Sequence, residues 1–318
     1  MVLDQLQILN RDFEIEILEI DRLIPLKNNW KELLQELKNF GKVTVTTYND
    51  SAYIKKTGIY DELSFNGPVG QALTHEIDLR LFLMHWHYGV IALTNTLDLY
   101  FFDKSGSLVH QISILEPNKA MIDSLSKYFS DDVIDKISFE NYKIESEKND
   151  EEIDKQGLQS DWKNLKDTHE FFQMLKKFNV SRTQALRLGS AEFVIEISKD
   201  SIYKLLKNAI DQEVSIMAFV GSRGCIQIHT DPINVLIQRG SFLILDEQNL
   251  YLSLNTDNFK SCYIVKKPTI DGIVTSVEVF DDKDEMIVQF FGERKPGTQE
   301  SESWRNLLCT ILISSSIC

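Results

Sequence analysis

The chain has 318 residues and a formal net charge of −14, with the composition of an ordinary globular protein. This acidic balance argues against nucleic acid or an anionic membrane surface as the main partner, because both are bound through a basic footprint. The length suggests roughly two domains, which together can bury a sizeable core.

The opening, MVLDQLQILNRDFEIEI, has no basic start followed by an apolar core, and no run approaches about 18 apolar residues. We therefore expect neither a signal peptide nor a membrane span, and we expect a cytoplasmic protein. The four cysteines lack CxxC spacing, which favours free thiols in a reducing compartment over disulfides or a zinc site. They are Cys225, Cys262, Cys309 and Cys318.

The first half begins with predicted helix over residues 1–40, clearest in LKNNWKELLQELKNF, with Gly41 as its stop. β-branched and aromatic runs separated by turn residues then predict strands. A short helix is expected from Pro117 through Phe129, and the acidic residues 131–160 lack periodicity and are interpreted as an exposed linker. The predicted strands are VTVTTYND, AYIKKTGIY, IDLRLFL, YGVIALTN, LDLYFFD and LVHQISI.

The second half repeats this order of helices followed by strands. Helices are predicted around residues 161–178, 182–189 and 199–211, and a final helix is predicted through SWRNLLCTIL. The predicted strands are IMAFV, CIQIHT, SFLILDE, LYLSLN, CYIVKK, VTSVEVF and MIVQFFG.

Two pairs of stretches indicate an internal duplication. FFDKSGSLVHQI at 101–112 resembles VFDDKDEMIVQF at 279–290, and DLRLFL at 78–83 resembles NLYLSL at 249–254. Two copies of a helix-plus-antiparallel-meander unit predict an α+β fold, with two large antiparallel sheets flanked by helices. The expected organisation is an N-terminal repeat at 1–130, an acidic linker at 131–160 and a C-terminal repeat at 161–318.

The stretch from Asp161 to Gln184 holds the most suggestive polar residues. Its apolar spacing predicts one amphipathic helix, with His169 on the edge of the apolar stripe. Ser181 and the residue three positions later have the spacing of a capping box, which places Arg182 in the first turn of a second helix. A cation there costs roughly 0.3–1 kcal/mol unless an anion lies beside it. The stretch therefore offers a metal ligand and a nearby anion site.

Simpler interpretations remain open for both residues. A lone histidine at the margin of an apolar helix face is commonly a packed core residue, and a lone arginine is commonly a solvated surface charge. Composition and periodicity do not choose between these interpretations and the functional ones.

Four other residues, on or next to two predicted strands and in one predicted turn, are candidates for a functional role. In DLRLFL the period of two puts the leucines on one face, so Arg80 and Phe82 point away from the core or lie on an exposed sheet face. Lys267 lies in KKPTIDG, which is interpreted as a turn, and Arg294 follows the strand QFFGER; either is also compatible with a solvated surface charge.

His85 and His87 in HWH are the only histidines with short ligand spacing. A cupin-like metal site needs further ligands, which the sequence does not cluster there. No GxGxxG, GxxxxGK[ST] or GxSxG is present, so nucleotide-binding and α/β-hydrolase interpretations lack support.

Several stretches closely resemble the bacterial HemS/ChuS family, known as haemin-degrading factors or cytoplasmic haem-trafficking proteins. They follow the family's order from about residue 40 to residue 312. The first 40 residues, the acidic linker and HWH match poorly. The resemblance implies a duplicated fold with two stacked antiparallel sheets. The stretches are DLRLFL, FFDKSG, DTHEFFQMLKKFNVSRTQAL, IMAFVGSRGCIQI, VKKPTIDGIVTSVEVF and QFFGERKPG followed by Trp304 and Arg305.

The resemblance also assigns roles to individual residues. It implies that His169 ligates haem iron, that Arg80 is the distal arginine and that Phe82 is its aromatic neighbour. Phe291 stands where relatives commonly carry tyrosine, so a hydroxyl toward the haem edge is lost. The implied propionate and haem-edge contacts are Arg182, Lys267, Gln289 and Arg294.

Two functions follow from the resemblance, and the same residues serve both. As an enzyme, the protein would degrade imported haem oxidatively and release its iron, with haem as both cofactor and substrate and with Arg80 and His169 as catalytic residues. As a carrier, it would deliver haem to a separate haem oxygenase. A haem importer and a downstream oxygenase or reductase are the implied partners, without nucleic acid and without embedding in a membrane.

Overall fold

The computed structural model describes residues 22–93, 96–131, 139–142, 147–295 and 297–315. The predicted helical residues 1–21, parts of the predicted linker and Cys318 lie outside these ranges. Seven α-helices occur in the described residues: α1 Trp30–Glu36, α2 Lys119–Leu125, α3 Lys155–Lys163, α4 Glu170–Phe178, α5 Arg182–Leu188, α6 Asp200–Asp211 and α7 Glu302–Ser315.

The described strands number eighteen and pair antiparallel wherever their register is defined. They are β1 Arg22–Pro25, β2 Lys42–Tyr48, β3 Ala52–Ile59, β4 Leu63–Asn66, β5 Val69–Leu73, β6 Asp78–Phe82, β7 Tyr88–Leu93, β8 Leu97–Phe102, β9 Leu108–Ile114, β10 Val194–Ile197, β11 Ile216–Gly221, β12 Cys225–Asp231, β13 Leu236–Arg239, β14 Phe242–Glu247, β15 Leu250–Asn255, β16 Ser261–Thr269, β17 Gly272–Phe280 and β18 Met286–Gly292.

The strands form two nine-stranded sheets, one in the order β1-β7-β8-β9-β2-β3-β15-β14-β13 and the other in the order β10-β16-β17-β18-β11-β12-β6-β5-β4. The two orders match position by position: where one sheet has a strand from the first half of the chain, the other has the equivalent strand from the second half. The predicted α+β fold of a duplicated unit with two large antiparallel sheets is therefore confirmed.

The two hairpins that resemble each other in sequence share an irregularity. The β8–β9 register shifts between Phe101 and Phe102, and the β17–β18 register shifts between Val279 and Phe280. In each following turn an aspartate accepts backbone N–H bonds two and four residues later, as Asp103 does in the first copy. An aspartate that satisfies its own turn is favoured at such a position, so the duplication extends to turn chemistry.

The chain divides into two compact units that do not follow a single cut in the sequence. Two second-half segments, 220–228 and 247–253, belong with the first 143 residues. Unit 1 comprises residues 1–143, 220–228 and 247–253, and unit 2 comprises residues 144–219, 229–246 and 254–318.

The core of unit 1 forms where α1 covers its sheets. Trp30 meets Phe101 edge-on with ring centroids 5.5 Å apart, and Leu33 and Leu34 are fully buried. Gly41 takes φ +76° directly after the last helical turn, as a helix stop requires. The clearest predicted helix of the first half is thus present.

The core of unit 2 lies under α3, α4 and α5. Trp162, Phe171 and Leu186 pack in one buried cluster with Tyr263 and Phe280 of the sheet. Burying several aromatic side chains stabilises this core, because each removes about 150–250 Å² from water. This cluster supports the start of α4, where His169 lies.

Some predicted elements were wrong in detail. Residues 22–25 form β1 instead of helix, because they pair with β7. Four short strands were missed, since four or five residues carry little periodicity. The stretch predicted as an exposed linker contains buried Ile153 and Leu158, and α3 begins within it at Lys155.

Candidate functional site

His169 stands at the start of α4 in unit 2. The helix predicted over 161–178 is in fact two helices, α3 and α4, and His169 is the N-cap residue of the second. Its side chain is 93% exposed. The interpretation of His169 as a packed core residue is therefore wrong, because the break at residues 164–169 carries it off the apolar stripe.

Asp167 holds the His169 imidazole. Its Oδ1 lies 2.6 Å from His169 Nδ1 and accepts the His169 backbone N–H at 2.7 Å. When Nδ1 donates to a carboxylate, Nε2 keeps the lone pair that binds a metal. In that tautomer, Nε2 of His169 is the ring nitrogen that could bind a metal.

The segment between α3 and α4 is held in place by hydrogen bonds that involve backbone groups. Glu170 Oε2 accepts the Lys166 N–H at 2.7 Å, and Lys166 O accepts the Ile270 N–H from the tip of the β16–β17 hairpin at 3.0 Å. Ile270 and Phe172 are 81% and 60% exposed, although both are large apolar residues. An imidazole with exposed apolar neighbours suits a ligand that is itself apolar and carries a metal.

Arg182 begins α5, as predicted. Ser181 caps the helix by accepting the Gln184 N–H at 3.0 Å. Arg182 donates through Nε and Nη2 to the two carboxylate oxygens of Glu278, each at 2.7 Å. The anion expected beside this cation is therefore an internal residue, which the sequence did not identify.

Lys267 converges on the same carboxylate. It lies within β16 instead of the predicted turn, is 4% exposed, and donates to Glu278 Oε1 at 2.8 Å. Ser276 Oγ donates to the same oxygen at 2.8 Å. Glu278 is fully buried. Arg182, Lys267 and Glu278 form what we call the buried ion triad.

The charges of the buried ion triad depend on each other. Burial alone raises the pKa of Glu278, but Arg182 and Lys267 together bring it well below its usual value. Burial lowers the pKa of Lys267 to about 8, Glu278 opposes that shift and Arg182 adds to it. A fully buried carboxylate with two cations is stable only because each charge is paired and hydrogen-bonded.

The triad packs against the helix that carries His169. Phe171, two residues after His169 and nearly fully buried, has Lys267 Nζ 4.9 Å and Arg182 Cζ 5.3 Å from its ring centroid. Its edge meets Trp162 at 4.7 Å. Cations over an aromatic face are attracted by its quadrupole, so the triad and α4 support each other.

Gln289 and Phe291 lie on β18. Gln289 pairs with Glu278 across the β17–β18 ladder, and Phe291 meets Phe219 edge-on at 5.0 Å. Lys267 Nζ is 6.0 Å from the Phe291 centroid. Gln289 and Phe291 therefore lie next to the triad, on the strand that neighbours Glu278.

Arg294 is linked electrostatically to Asp167, the aspartate that holds His169. Its Nη2 is 4.0 Å from Asp271 Oδ2, and its charge lowers the pKa of Asp167, after the larger contributions of the hydrogen bonds from His169. Arg294 Nη1 is buried and has no hydrogen-bond partner among the described residues. Arg294 therefore influences the aspartate that holds His169.

Arg80 and Phe82 lie in unit 1. The predicted alternation on β6 is present, with Leu79 and Leu81 buried and Arg80 partly exposed. Arg80 Nη1 donates to Asp78 and to the Leu79 carbonyl at 3.1 Å. These contacts hold the guanidinium close to the strand.

The HWH stretch does not form a metal site in the structure. Across the part of the chain that is described, no group of three or more His, Cys, Asp or Glu side chains is placed to hold a metal ion. Burial lowers the pKa of His85, and the Arg223 and His87 charges add to that effect.

Among the described helices, none combines the length and apolarity needed to cross a bilayer.

Two residues of the site were missed from the sequence. Glu278 is a lone charge inside the apolar run VTSVEVF, which is the available signal, but β17 is buried on both faces and shows no alternation. Asp167 lies two residues before His169, where a carboxylate commonly bonds nearby backbone N–H groups.

Comparison with known proteins identifies the family. The sequence model described as the haemin-degrading HemS.ChuX domain matches residues 10–123 and 179–310. The hemin transport protein HemS of Yersinia enterocolitica is 30% identical over 292 residues, covering 88% of this chain and 83% of that protein.

Solved structures of heme-binding and heme-degrading proteins have the same fold as this chain. Apo-PhuS, a heme-binding protein from Pseudomonas aeruginosa, is 32% identical with a TM-score of 0.88, covering 92% of this chain and 87% of that one. The heme degrading enzyme ChuS of Escherichia coli O157:H7 is 25% identical with a TM-score of 0.83, at the same coverages of 92% and 87%. The chain therefore belongs to the family of the haemin-degrading HemS.ChuX domain.

Proposed function

We propose that this protein binds haem through His169 and degrades it oxidatively in the cytoplasm, releasing iron. The observation that carries the proposal is the exposed His169 imidazole, oriented by Asp167. The exposed Phe172 follows it in the first turn of α4, and the exposed Ile270 is bonded through its backbone N–H to Lys166 just before it. The relatives, which are named a hemin transport protein, a heme-binding protein and a heme degrading enzyme, support the same ligand.

The residues around His169 fit a porphyrin. Covering about 400 Å² of apolar disc is worth roughly 10 kcal/mol at about 25 cal/mol per Å². Phe172 and Ile270 offer apolar surface that is otherwise left in water. A neutral imidazole nitrogen adds the proximal bond to iron.

The carboxylates of the porphyrin need cations. Arg182 is 29% exposed and keeps N–H groups that Glu278 does not use. Each charge-assisted hydrogen bond contributes about 1.5–3 kcal/mol. Lys267, Gln289, Phe291 and Arg294 complete the proposed surroundings, with Phe291 contributing only apolar contact.

In the enzymatic proposal, bound haem supplies the capacity to bind and reduce dioxygen. His169 would ligate the iron, and Asp167 would keep its imidazole in the tautomer that leaves Nε2 for the metal. Arg80 is proposed as the distal donor with Phe82 as its neighbour. The Arg80 guanidinium has only N–H donors and no acceptor, so it would serve as a fixed hydrogen-bond donor.

A second candidate is a carrier that passes haem to a separate oxygenase. The 93% exposure of His169 favours it, since a ligand histidine at the surface suits exchange of the haem. A haem importer would be the donor in either case, and an oxygenase or a reductase would be the downstream partner.

The test of haem binding is titration of hemin into the protein, followed by the Soret band. Wild type should bind one haem per chain, and His169→Ala should weaken binding at least about tenfold, as expected when a metal ligand is lost. His85→Ala and His87→Ala are matched controls and should bind as wild type does. An unchanged affinity and spectrum in His169→Ala would remove it as the ligand and direct attention to the two controls.

A further inference from the structure

Glu278 connects α5, β16 and β17 in unit 2 through the buried ion triad. We infer that Glu278 is a positioning residue that orients Arg182 to receive one carboxylate of the bound porphyrin. This inference rests on the proposed function and specifies how the site selects the charge of its ligand.

The first support is the direction of the Arg182 guanidinium. The two Glu278 carboxylate oxygens accept hydrogen bonds from Nε and Nη2, which lie on one side of the Arg182 guanidinium, at 2.7 Å each. A guanidinium has five N–H donors in one plane, so this pairing leaves both Nη1 donors and one Nη2 donor. The ion pair with Glu278 therefore fixes the plane of the Arg182 guanidinium, and the Nη1 donors and the second Nη2 donor remain for a ligand.

The second support is exposure. Arg182 is 29% exposed, whereas Lys267 is 4% exposed and Glu278 is not exposed at all. Lys267 already donates to Glu278 at 2.8 Å and lies over the Phe171 ring. Of the two cations, Arg182 is the one that a ligand reaches without displacing a buried contact.

The third support is the charge of the triad. With both cations protonated and Glu278 ionised, the triad carries one net positive charge. The Glu278 carboxylate thus balances the charge of the buried Lys267 ammonium. The remaining positive charge lies on Arg182, which a ligand can reach. One positive charge at an oriented fork suits one carboxylate, because bidentate pairing with arginine requires a fixed plane.

Glu278→Gln tests the positioning role by comparing hemin with its dimethyl ester, in which both carboxylates are uncharged. Wild type should bind hemin more tightly than the ester, and Glu278→Gln should reduce that preference on the order of 10-fold, because the amide cannot accept from Nε and Nη2 together. Glu192→Gln, at an exposed position of the same unit, is the matched control and should keep the preference.

Arg182→Lys supplies the second variant if Glu278→Gln does not fold, as judged by circular dichroism. Lysine keeps the charge but cannot form the side-on fork, so the preference for hemin should fall here as well. A folded Glu278→Gln or an Arg182→Lys protein that keeps the wild-type preference would overturn the inference.

Failure of the proposed function would show differently. Wild type would then bind neither porphyrin, or His169→Ala would bind both as well as wild type does. If wild type binds through His169 and prefers hemin while Glu278→Gln retains that preference, only the inference about Glu278 fails.

Discussion

Single residues at this site are defined by the partners that hold them. His169 would be an unremarkable surface histidine without Asp167, which engages both its ring and its backbone N–H. Arg182 would be an ordinary surface charge without the buried Glu278. In both cases a carboxylate converts a mobile polar side chain into one with a set direction, which a binding site requires.

At this scale we predict the effect of Asp167→Asn. The amide weakens the bond to Nδ1 and allows the tautomer with its proton on Nε2, so hemin affinity should fall about 10–100-fold, the usual effect of losing a partner of a metal ligand. Soret titration measures the change.

Asp161→Asn is the matched control for that experiment. Asp161 is an aspartate of α3 that pairs with Lys177 at 2.5 Å on the surface and does not contact His169. Equal losses of affinity in the two variants would show that general surface charge, instead of the bond to His169, is responsible.

At the scale of elements, tryptophan indoles join segments that are distant in sequence. All four tryptophans are buried, and each indole N–H donates to a backbone carbonyl at 2.8–3.0 Å. The large apolar area of each ring and its one satisfied donor explain why tryptophan occupies these places. In unit 2, Trp162 of α3 donates to Lys266 O of β16 and thereby also supports Phe171.

We predict that Trp162→Phe lowers the free energy of unfolding by about 1–3 kcal/mol, since the Lys266 carbonyl loses its indole partner and the smaller ring leaves space. Hemin affinity should fall too, because Trp162 braces Phe171 at the start of α4. Urea denaturation and Soret titration measure the two effects.

Trp30→Phe separates the two effects. Trp30→Phe loses an equivalent bond, to Trp86 O at 3.0 Å, and Trp30 packs on Phe101 in the core of unit 1. It should lose a similar amount of stability and keep its hemin affinity. An equal loss of affinity in both variants would mean that stability alone controls binding.

At the scale of the whole molecule, the two residues given roles in the proposed chemistry are Arg80, which lies in unit 1, and His169, which lies in unit 2. Neither residue is a neighbour of the other in sequence, and each is held by a local aspartate. Haem degradation and haem transfer differ in what Arg80 is needed for, so this residue decides between the two proposals.

We predict that haem bound to the wild type loses its Soret band in air with ascorbate or a reductase, and that the reaction persists with catalase. Arg80→Ala should slow this loss about 100-fold, the usual cost of removing one positioned donor, while ferric haem stays bound through His169. Arg223→Ala, an arginine at a hairpin tip in the same unit, is the control and should react at the wild-type rate.

The opposite outcome supports the carrier. If catalase abolishes the bleaching, free peroxide is responsible for it. If Arg80→Ala reacts as fast as wild type, the distal donor is unnecessary. Transfer of intact haem to a partner oxygenase would then be the activity to measure.

The sequence by itself determined the fold class, the duplication and most elements. Long periodic runs such as VTVTTYND and LYLSLN became strands, and Ser181 became the cap that put Arg182 in the first turn of α5. These features depend on local propensity and on residues close in the chain, which a pattern records directly. The resemblance to the haemin-degrading family was confirmed for the same reason, because its motifs are contiguous.

The tertiary structure alone decided which charges meet. Glu278 lies 96 residues from Arg182 and 11 from Lys267. The pairing of β16 with β17 brings Lys267 to Glu278, and the packing of α5 against these strands brings Arg182. The break before His169 likewise depends on the hairpin tip at Ile270. Contacts between residues distant in sequence depend on packing and strand register, which local periodicity does not encode.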